Sequence, residues 1–558
     1  MFKINLFTIA CLGTLALQSV QAQSLPNASD VLRNIEQNKI DPNLQPKRTL
    51  KKPTPPATTD QGFARLKEIK VHSPLLQQEL INFWASEINK PVPAQKLSEF
   101  KAFAWELFQS KGYLAYINTS AQATPEGSVL SVFITLPNIG KISVNTLDGH
   151  ESEQLAAEVA RRFQEVYKPG MTVDVQGIDN QLVAAAYDLP VDLDVSMRQV
   201  NRTEVDVVIN LRKVEATPGV VLGGLAQVNN YGLGQFGRNQ LLGTVRIAGF
   251  TPSSELTLTT QQSNSVGYYR ADYEAPIQGS LMRWRVYASQ VQSQANSVKG
   301  WTDETGLGLT RLLHTDRIGR WLSGAEISRR ETRNWASSAL TADRIDQQLR
   351  LKLRAESAKG WVDSFNNEVI LSAGSMDLDR LASDKFDDSL NVAGNYQKLE
   401  MNGGLSNILD AKGVYTGTFR WRTQVASKNL DSYNRISLGG LNGIRAYTTL
   451  DGVGDQGAQI SLEVSRQIYA NVWAGLFYDC GTVKNNHNPI SNPANQGAYF
   501  LQGAGLQFGG SAYETNWNMS LARSFGQTPD QTPNSGVWTA VNTRVGSTRV
   551  NLSITRPF

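Results

Sequence analysis

Two periodicities divide this chain. Up to residue 213, apolar positions recur at helical spacing between short alternating runs; beyond Pro218 the helical spacing stops and alternation continues to the last residue. Within 282 to 288, Met282, Trp284, Val286 and Ala288 alternate with Arg283, Arg285 and Tyr287. Phe419 and Trp421 alternate with Arg420 and Arg422, and Ile460, Leu462 and Val464 with Ser461, Glu463 and Ser465. Successive side chains of a strand point to opposite faces, so this sheet has one oily and one wet side. The pattern predicts about sixteen strands, at 219–227, 240–250, 255–263, 267–274, 282–291, 303–314, 320–331, 346–357, 361–375, 396–406, 415–425, 459–467, 471–479, 499–508, 516–524 and 549–558.

The connections discriminate better than the strands. Thr251 to Ser254, Ala275 to Leu281, Thr315 to Gly319, Ala358 to Gly360 and Ile468 to Ala470 are tight, whereas 376–395, 426–458, 480–498 and 525–548 are long. Membrane barrels have short periplasmic turns and longer outer loops, while a soluble sandwich or propeller has no reason to alternate this way. The chain ends Val550, Leu552, Ile554, Arg556, Phe558 in alternation with polar residues, as suits the last strand of such a barrel. The sheet must close, because an open edge in lipid leaves backbone groups unpaired.

The first half reads differently. Residues 62–137 predict a strand at 64–71, helices at 75–88 and 97–109 with Leu76, Leu80, Phe83 and Trp84 on one face, and strands at 114–120 and 129–136; Gly112 ends the second helix. Residues 138–214 repeat the order, with a strand at 141–147, helices at 151–167 and 177–186, and strands at 192–199 and 203–212. Ahead of them, 29–38 form one short amphipathic helix with Val31, Leu32 and Ile35 as its stripe, too short to persist without docking on something. A proline-rich linker follows, with Pro42, Pro46, Pro53, Pro55 and Pro56, and its cluster Lys47, Arg48, Lys51 and Lys52 reads as solvated. Residues 1–22 have the Lys3 n-region, an apolar Ile4 to Leu17 and the small-residue site Val20-Gln21-Ala22 of a secretory signal peptide.

Composition adds exclusions. Mean hydropathy is −0.31, and no later window is apolar enough for a helical span, although barrel strands escape that test. The net charge of +4 is too weak and too scattered to nominate nucleic acid. Only Cys480 remains after the signal peptide, so no intrachain disulfide forms. No nucleophile elbow, phosphate loop or Cys-x-x-Cys is present, and His72, His150, His314 and His487 lack ligand spacing. Asp451-Gly-Val-Gly-Asp455 reads as a glycine turn, and Asp377, Asp379, Asp384, Asp387 and Asp388 as a solvated outer loop. No enzyme, cofactor or metal site is expected.

The longest loop, 426–458, holds the informative constellation. Leu438, Leu441 and Ile444 are poorly suited to an exposed loop and surround Arg445, which suggests insertion into the barrel lumen. On the thirteenth strand Val472, Ala474, Leu476 and Tyr478 form the outward set, so Trp473, Phe477 and Asp479 face inward; Glu463 on the twelfth strand does likewise. An inward carboxylate is a natural partner for Arg445 in a charge-assisted pair.

With these features in view, the chain resembles the two-partner secretion (type Vb) outer-membrane transporters, the TpsB family. That family carries a V-R-G-[YF] tip on the sixth loop and F-x-D-x-G on the thirteenth strand. Here the strand motif stands as Phe477, Asp479 and Gly481, and the tip as Ile444-Arg445-Ala446-Tyr447, with Ala in place of Gly. Asn229-Asn230-Tyr231-Gly232 is similar to the family's D-N-x-G. The resemblance implies an N-terminal plug helix (23–40) and linker (41–61), two α/β POTRA domains (62–137 and 138–214) and a C-terminal 16-stranded antiparallel transmembrane β-barrel (215–558). It also implies an Arg445–Asp479 contact that locks the loop in the lumen.

The implied activity is export. The POTRA pair catches an unfolded, β-rich, TpsA-like exoprotein by strand addition or an apolar groove. The plug withdraws, and the cargo threads outward and folds at the surface, which supplies direction without ATP. The implied partners are that exoprotein, the lipid outer membrane and, through the strand ending in Phe558, the barrel-assembly machinery; the chain is expected to be a monomer. A barrel-assembly factor of the same superfamily more often has additional POTRA domains and lacks the plug and linker. A passive porin needs no periplasmic front end of about 190 residues.

Overall fold

The computed structural model describes residues 62–558, apart from 64, 147–152, 190, 214–220, 235, 252, 296, 317, 359–361, 489–496 and 527–542. The signal peptide, the plug helix with Val31, Leu32 and Ile35, and the linker lie outside the described residues.

The front end is two small α/β units of one topology. In the first, β1 (Leu66–His72), α1 (Gln77–Trp84), α2 (Ala94–Ser110), β2 (Tyr116–Thr124) and β3 (Gly127–Thr135) form a sheet of order β1-β3-β2 backed by the helices. The stripe Leu97, Phe100, Ala104 and Phe108 of α2 closes over Leu66, Leu130 and Val132, all buried. In the second, β4 (Asn138–Thr146), α3 (Glu153–Gln164), α4 (Val175–Ala186), β5 (Val191–Gln199) and β6 (Glu204–Lys213) give the order β4-β6-β5. Gly112, just past α2, sits at φ +87°, a conformation that suits glycine. A side chain there would meet Asp174, whose carboxylate accepts from the Gly177 N–H at 2.9 Å and caps α4. The two units are therefore joined helix end to helix start, with little room between them.

The barrel closes with sixteen strands. They are β7 (Val221–Asn229), β8 (Gln240–Ala248), β9 (Glu255–Gln262), β10 (Val266–Pro276), β11 (Met282–Ala295), β12 (Val298–Thr315), β13 (Gly319–Ala336) and β14 (Ala339–Ala358). β15 (Ser364–Asp377), β16 (Gly394–Ile408), β17 (Tyr415–Ala426), β20 (Gln456–Tyr469), β21 (Val472–Lys484), β22 (Ala498–Ala512), β23 (Thr515–Phe525) and β24 (Thr548–Pro557) complete the ring. Two further short strands, β18 (Ile436–Ser437) and β19 (Val453–Gly454), pair inside the loop between β17 and β20. Every barrel neighbour is antiparallel and consecutive, and β24 returns to β7. Leu222, Ile327, Leu349 and Leu476 are among many large apolar side chains exposed on the outer face. Such a belt belongs in lipid rather than water.

The main departure from the sequence reading is on the outer side of β12 to β14. These strands run 18, 18 and 20 residues, where 303–314, 320–331 and 346–357 were expected. β13 and β14 meet in a two-residue turn, Ser337-Ser338, with both φ angles positive, the geometry that suits a hairpin's twist. In this stretch charged residues such as Lys299, Arg333, Asp343 and Arg344 are interspersed with Trp301, Trp335 and Leu340, so no clean apolar alternation marks the extra ladder. A second correction concerns Asp384, read as part of a solvated acidic loop. It is buried on a short helix, α5 (Ala382–Phe386), and accepts from Arg344 at 2.6 Å.

The seam between β24 and β7 has five residue pairs, against eighteen between β13 and β14. Side chains lengthen it. Asn230 accepts from the Leu552 N–H at 2.8 Å and donates to the Val550 carbonyl at 2.9 Å, continuing the ladder past the end of β7. At the other end the Phe558 backbone exchanges hydrogen bonds with Gly224 at 2.9 and 3.0 Å.

The second α/β unit is moored to the rim of the barrel. Arg161 and Arg162 donate to the carbonyls of Gly279 and Ser280, and Arg283 holds Asp188 at 2.6 Å. Ser253 donates to the Asp188 carbonyl. These hydrogen bonds fall on the β8–β9 and β10–β11 turns and the start of β11, and α4 also packs against β12.

A Cβ at Gly224 would stand 2.3 Å from the Thr244 carbonyl of β8 and 2.6 Å from the Phe558 ring, whereas one at Gly223 would meet only the Phe558 carbonyl at 3.7 Å. Gly224→Val is therefore expected to lower the fraction of heat-modifiable, closed barrel on gel electrophoresis, and Gly223→Ala to leave it near wild type. Equal behaviour of the two variants would show that the close packing of Gly224 between β8 and Phe558 plays no part in closure.

Candidate functional site

The loop between β17 and β20 does not project outward. It turns into the lumen, where Ile436, Leu438, Ile444, Ala446 and Tyr447 are fully buried and pack with Phe477, Val483, Leu501 and Ala522 of the wall. Gly440 at φ +115° and Gly452 at φ +68° let the chain reverse within it.

Arg445 lies at the tip, 4 % exposed, against Asp479, 0 % exposed. The pair is bidentate: Nε to Oδ2 at 2.9 Å and Nη2 to Oδ1 at 2.7 Å. The Arg445 backbone N–H also donates to Oδ2, at 3.0 Å. Nη2 reaches Ser461 Oγ at 3.0 Å, and Nη1 reaches Gln507 Oε1 at 2.9 Å and Glu463 Oε1 at 2.8 Å. All five N–H donors of the guanidinium therefore find acceptors. Phe477 lies flat beneath, its ring centre 3.5 Å from the guanidinium carbon. Ser461 donates to Asp479, Gln507 to Glu463, and Arg420 also contacts Glu463. Asn551 of β24 donates to the Arg445 carbonyl at 3.2 Å. A lysine has one compact charge and cannot reproduce this fork.

The geometry thus brings together Arg445, Asp479, Glu463, Phe477, Ile444 and Tyr447. Gly481 acts differently: paired with Gln459 on β20, it leaves no room for a side chain, since a Cβ would stand 2.7 Å from the Ala458 carbonyl. Gln459 beside it donates to the Asn442 carbonyl of the loop at 3.0 Å. Phe558 stands apart, at the seam.

Sequence reasoning missed Ser461, Gln507 and Asn551. Their inward direction follows from strand parity, but which of them meets the loop depends on barrel stagger. It also missed Asp451 and Asp455. The glycine turn is present, yet both carboxylates are fully buried and organise it. Asp451 accepts from Thr448 and Thr543, and Asp455 from Leu430, Arg435 and His487.

Ala446, where the family motif has glycine, is not in a left-handed conformation, so its methyl costs no backbone strain. That methyl fills the space over Gly503 of β22, where a Cβ would stand only 2.7 Å from it.

A closed sixteen-stranded barrel with an inward loop held by a buried arginine, behind two periplasmic α/β units, defines an outer-membrane protein transporter of the two-partner secretion class. The family described as haemolysin secretion/activation protein ShlB/FhaC/HecB matches residues 213–508, more than half of the chain, and the chain belongs to that family. Among solved structures it is similar to CdiB from Escherichia coli, with a TM-score of 0.58 and 14% identity over 97% of this chain and 100% of that one. CdiB from Acinetobacter baumannii gives a TM-score of 0.57 and 14% identity over 96% and 100%. At this identity the two structures show the shared fold. No curated protein sequence matches the chain.

The Ala446–Gly503 contact predicts a reciprocal pair. Gly503→Ala forces two methyls together and is expected to destabilise the docked loop by about 1–3 kcal/mol. Ala446→Gly alone is milder, and the double variant recovers most of the loss. Protection of the loop from trypsin reads this out; a double variant no better than Gly503→Ala would show that the two positions do not share one space.

Proposed function

We propose that this transporter captures an unfolded, β-rich exoprotein in the periplasm and threads it through the barrel to the cell surface. The observation that carries the reading is the Arg445–Asp479 pair. A loop that fills the pore and is held there by side-chain contacts, not by the ladder of the wall, is an obstruction that can move without unfolding the barrel.

Residues 1–22 then act as a removed signal peptide, 23–40 as a plug and 41–61 as the linker that lets it withdraw. Residues 62–137 and 138–214 serve as the capture domains, and 215–558 as the pore. Strand addition is supported by the edge strands β2 and β5, each paired on one side only within its sheet. A haemolysin, an adhesin or a contact-dependent toxin fits the cargo class. The strand ending in Phe558 serves the barrel-assembly machinery as its recognition element.

Removing Arg445 strands the Asp479 carboxylate in a dry site, and breaking one side of a buried pair typically costs ~3–5 kcal/mol. Arg445→Ala and Asp479→Asn are therefore each expected to cut secretion of the cognate exoprotein severely while the barrel still inserts and stays heat-modifiable. The surface and secreted proteome of cells with the protein, without it and with each variant reads this out. Loss of many other barrels with secretion intact would instead indicate an assembly factor, and no change in either would indicate a passive pore.

A further inference from the structure

The arginine tip is not the loop's only attachment. Its ascending limb lies against a different part of the wall, β11 to β16, through Tyr433 and Asn434. Asn434 is 1 % exposed. It donates to Asp346 Oδ2 at 2.9 Å and to Tyr396 Oη at 3.0 Å, and accepts from Gln348 Nε2 at 2.7 Å. Its carbonyl accepts from Gln424 at 2.9 Å. The Tyr433 ring lies under the Arg330 guanidinium, 3.3 Å from its carbon. Two residues before Tyr433, Asp431 pairs with Arg344 at 2.5 Å, and Arg344 also holds Asp384 of the neighbouring outer loop.

Apart from Arg344, which Asp431 of the loop shares with Asp384, the charges of the wall on this side are paired without the loop. Arg330 bonds Glu304 at 3.2 Å and Asp346 at 2.9 Å, Arg350 bonds Glu304 at 3.0 Å, and Lys352 bonds Glu326 at 2.7 Å. Tyr396 and Gln348 add their own donors to Asp346. Three carboxylates thus face three cations, and Asn434 and Tyr433 bring no charge to them. The tip is the opposite case, because Asp479 has no cation but Arg445 within ion-pair distance among the described residues.

We infer that Tyr433 and Asn434 form a second, charge-neutral latch, and that the loop leaves the wall in two stages, these two residues before the arginine tip, with Arg435 still held by Asp455. When Asn434 departs, Asp346 keeps Arg330, Tyr396 and Gln348, water replaces one amide, and Arg344 keeps Asp384 even where Asp431 moves away. When Arg445 departs, a buried carboxylate loses its counter-charge, which costs far more. The first stage bares the ion-paired β11–β16 wall, a surface of fixed polar groups against which an unfolded chain can slide, while Arg445 keeps the loop tethered. This order rests on loop displacement being part of transport, as proposed above, but the latch itself is testable without secretion.

The test is amide hydrogen exchange, read by mass spectrometry, on the full-length protein in detergent. Asn434→Ala combined with Tyr433→Ala is expected to speed exchange across 430–437 roughly tenfold or more, as loss of several buried hydrogen bonds implies, while 442–449 keeps its wild-type protection. Gln348→Ala, which alters the wall instead of the loop, should produce a smaller rise confined to the same limb. Asp479→Asn should speed exchange across 442–449. If both limbs accelerate together in the Asn434/Tyr433 variant, or if 430–437 does not change in either variant, the two-stage latch is wrong. Protection of β20 (Gln456–Tyr469), unchanged, identifies variants whose barrel is intact; faster exchange there in both latch variants would also overturn the proposal, since these residues would then be holding the wall and not the loop.

Discussion

Hydrocarbon offers no hydrogen-bond partners, so every peptide group of a spanning sheet must pair with another strand. The rest of the molecule follows from that constraint. It makes the sheet close on itself, and sixteen strands enclose a lumen far wider than side chains alone can fill. The space is taken by the chain between β17 and β20, and that segment has polar groups which the pore must satisfy. Arg445 is the extreme case. Its charge is buried, and the wall answers with Asp479, Glu463, Ser461 and Gln507 placed on three adjacent strands. The pair is less a source of stability than the condition for having a charged loop inside a barrel at all.

Much of this was legible in the sequence, for definite reasons. Strand parity is robust because a one-residue slip would turn every leucine from lipid to lumen, so the oily face marks each membrane-spanning strand and its direction. Parity likewise points Asp479 and Glu463 inward, where both lie beside Arg445. Apolar residues such as Leu438 and Ile444 in a loop require cover, and the lumen is what covers them. The helices of the front end announce themselves through stripes such as Leu97, Phe100, Ala104 and Phe108.

The remainder depends on relations that no local pattern encodes. Asn434 meets Asp346 across 88 positions of sequence. Asp384 is buried because Arg344 stands opposite it, and a run of aspartates gives no hint of that. The upper parts of β12 to β14 set charged residues among Trp301, Trp335 and Leu340, and the alternation that betrays a strand disappears there. Asp451 and Asp455 hid within a run of glycines whose turn was evident, while the burial of its carboxylates was not.

The mooring of the second α/β unit is off-centre. Its hydrogen bonds fall on Ser253, Gly279, Ser280 and Arg283, and its helix α4 packs on the neighbouring β12, all within one short arc of the periplasmic rim. Arg283 opens β11, the strand that also carries Tyr287, whose hydroxyl donates to Glu304. A torque on the front end is therefore delivered through these contacts to one flank of the cylinder, the flank that ends in the Glu304–Arg330 ion pairs, and not to the far flank where the arginine is seated. The molecule is built like a lever with its fulcrum at the rim, and its stiff, many-paired strands lie on the loaded side.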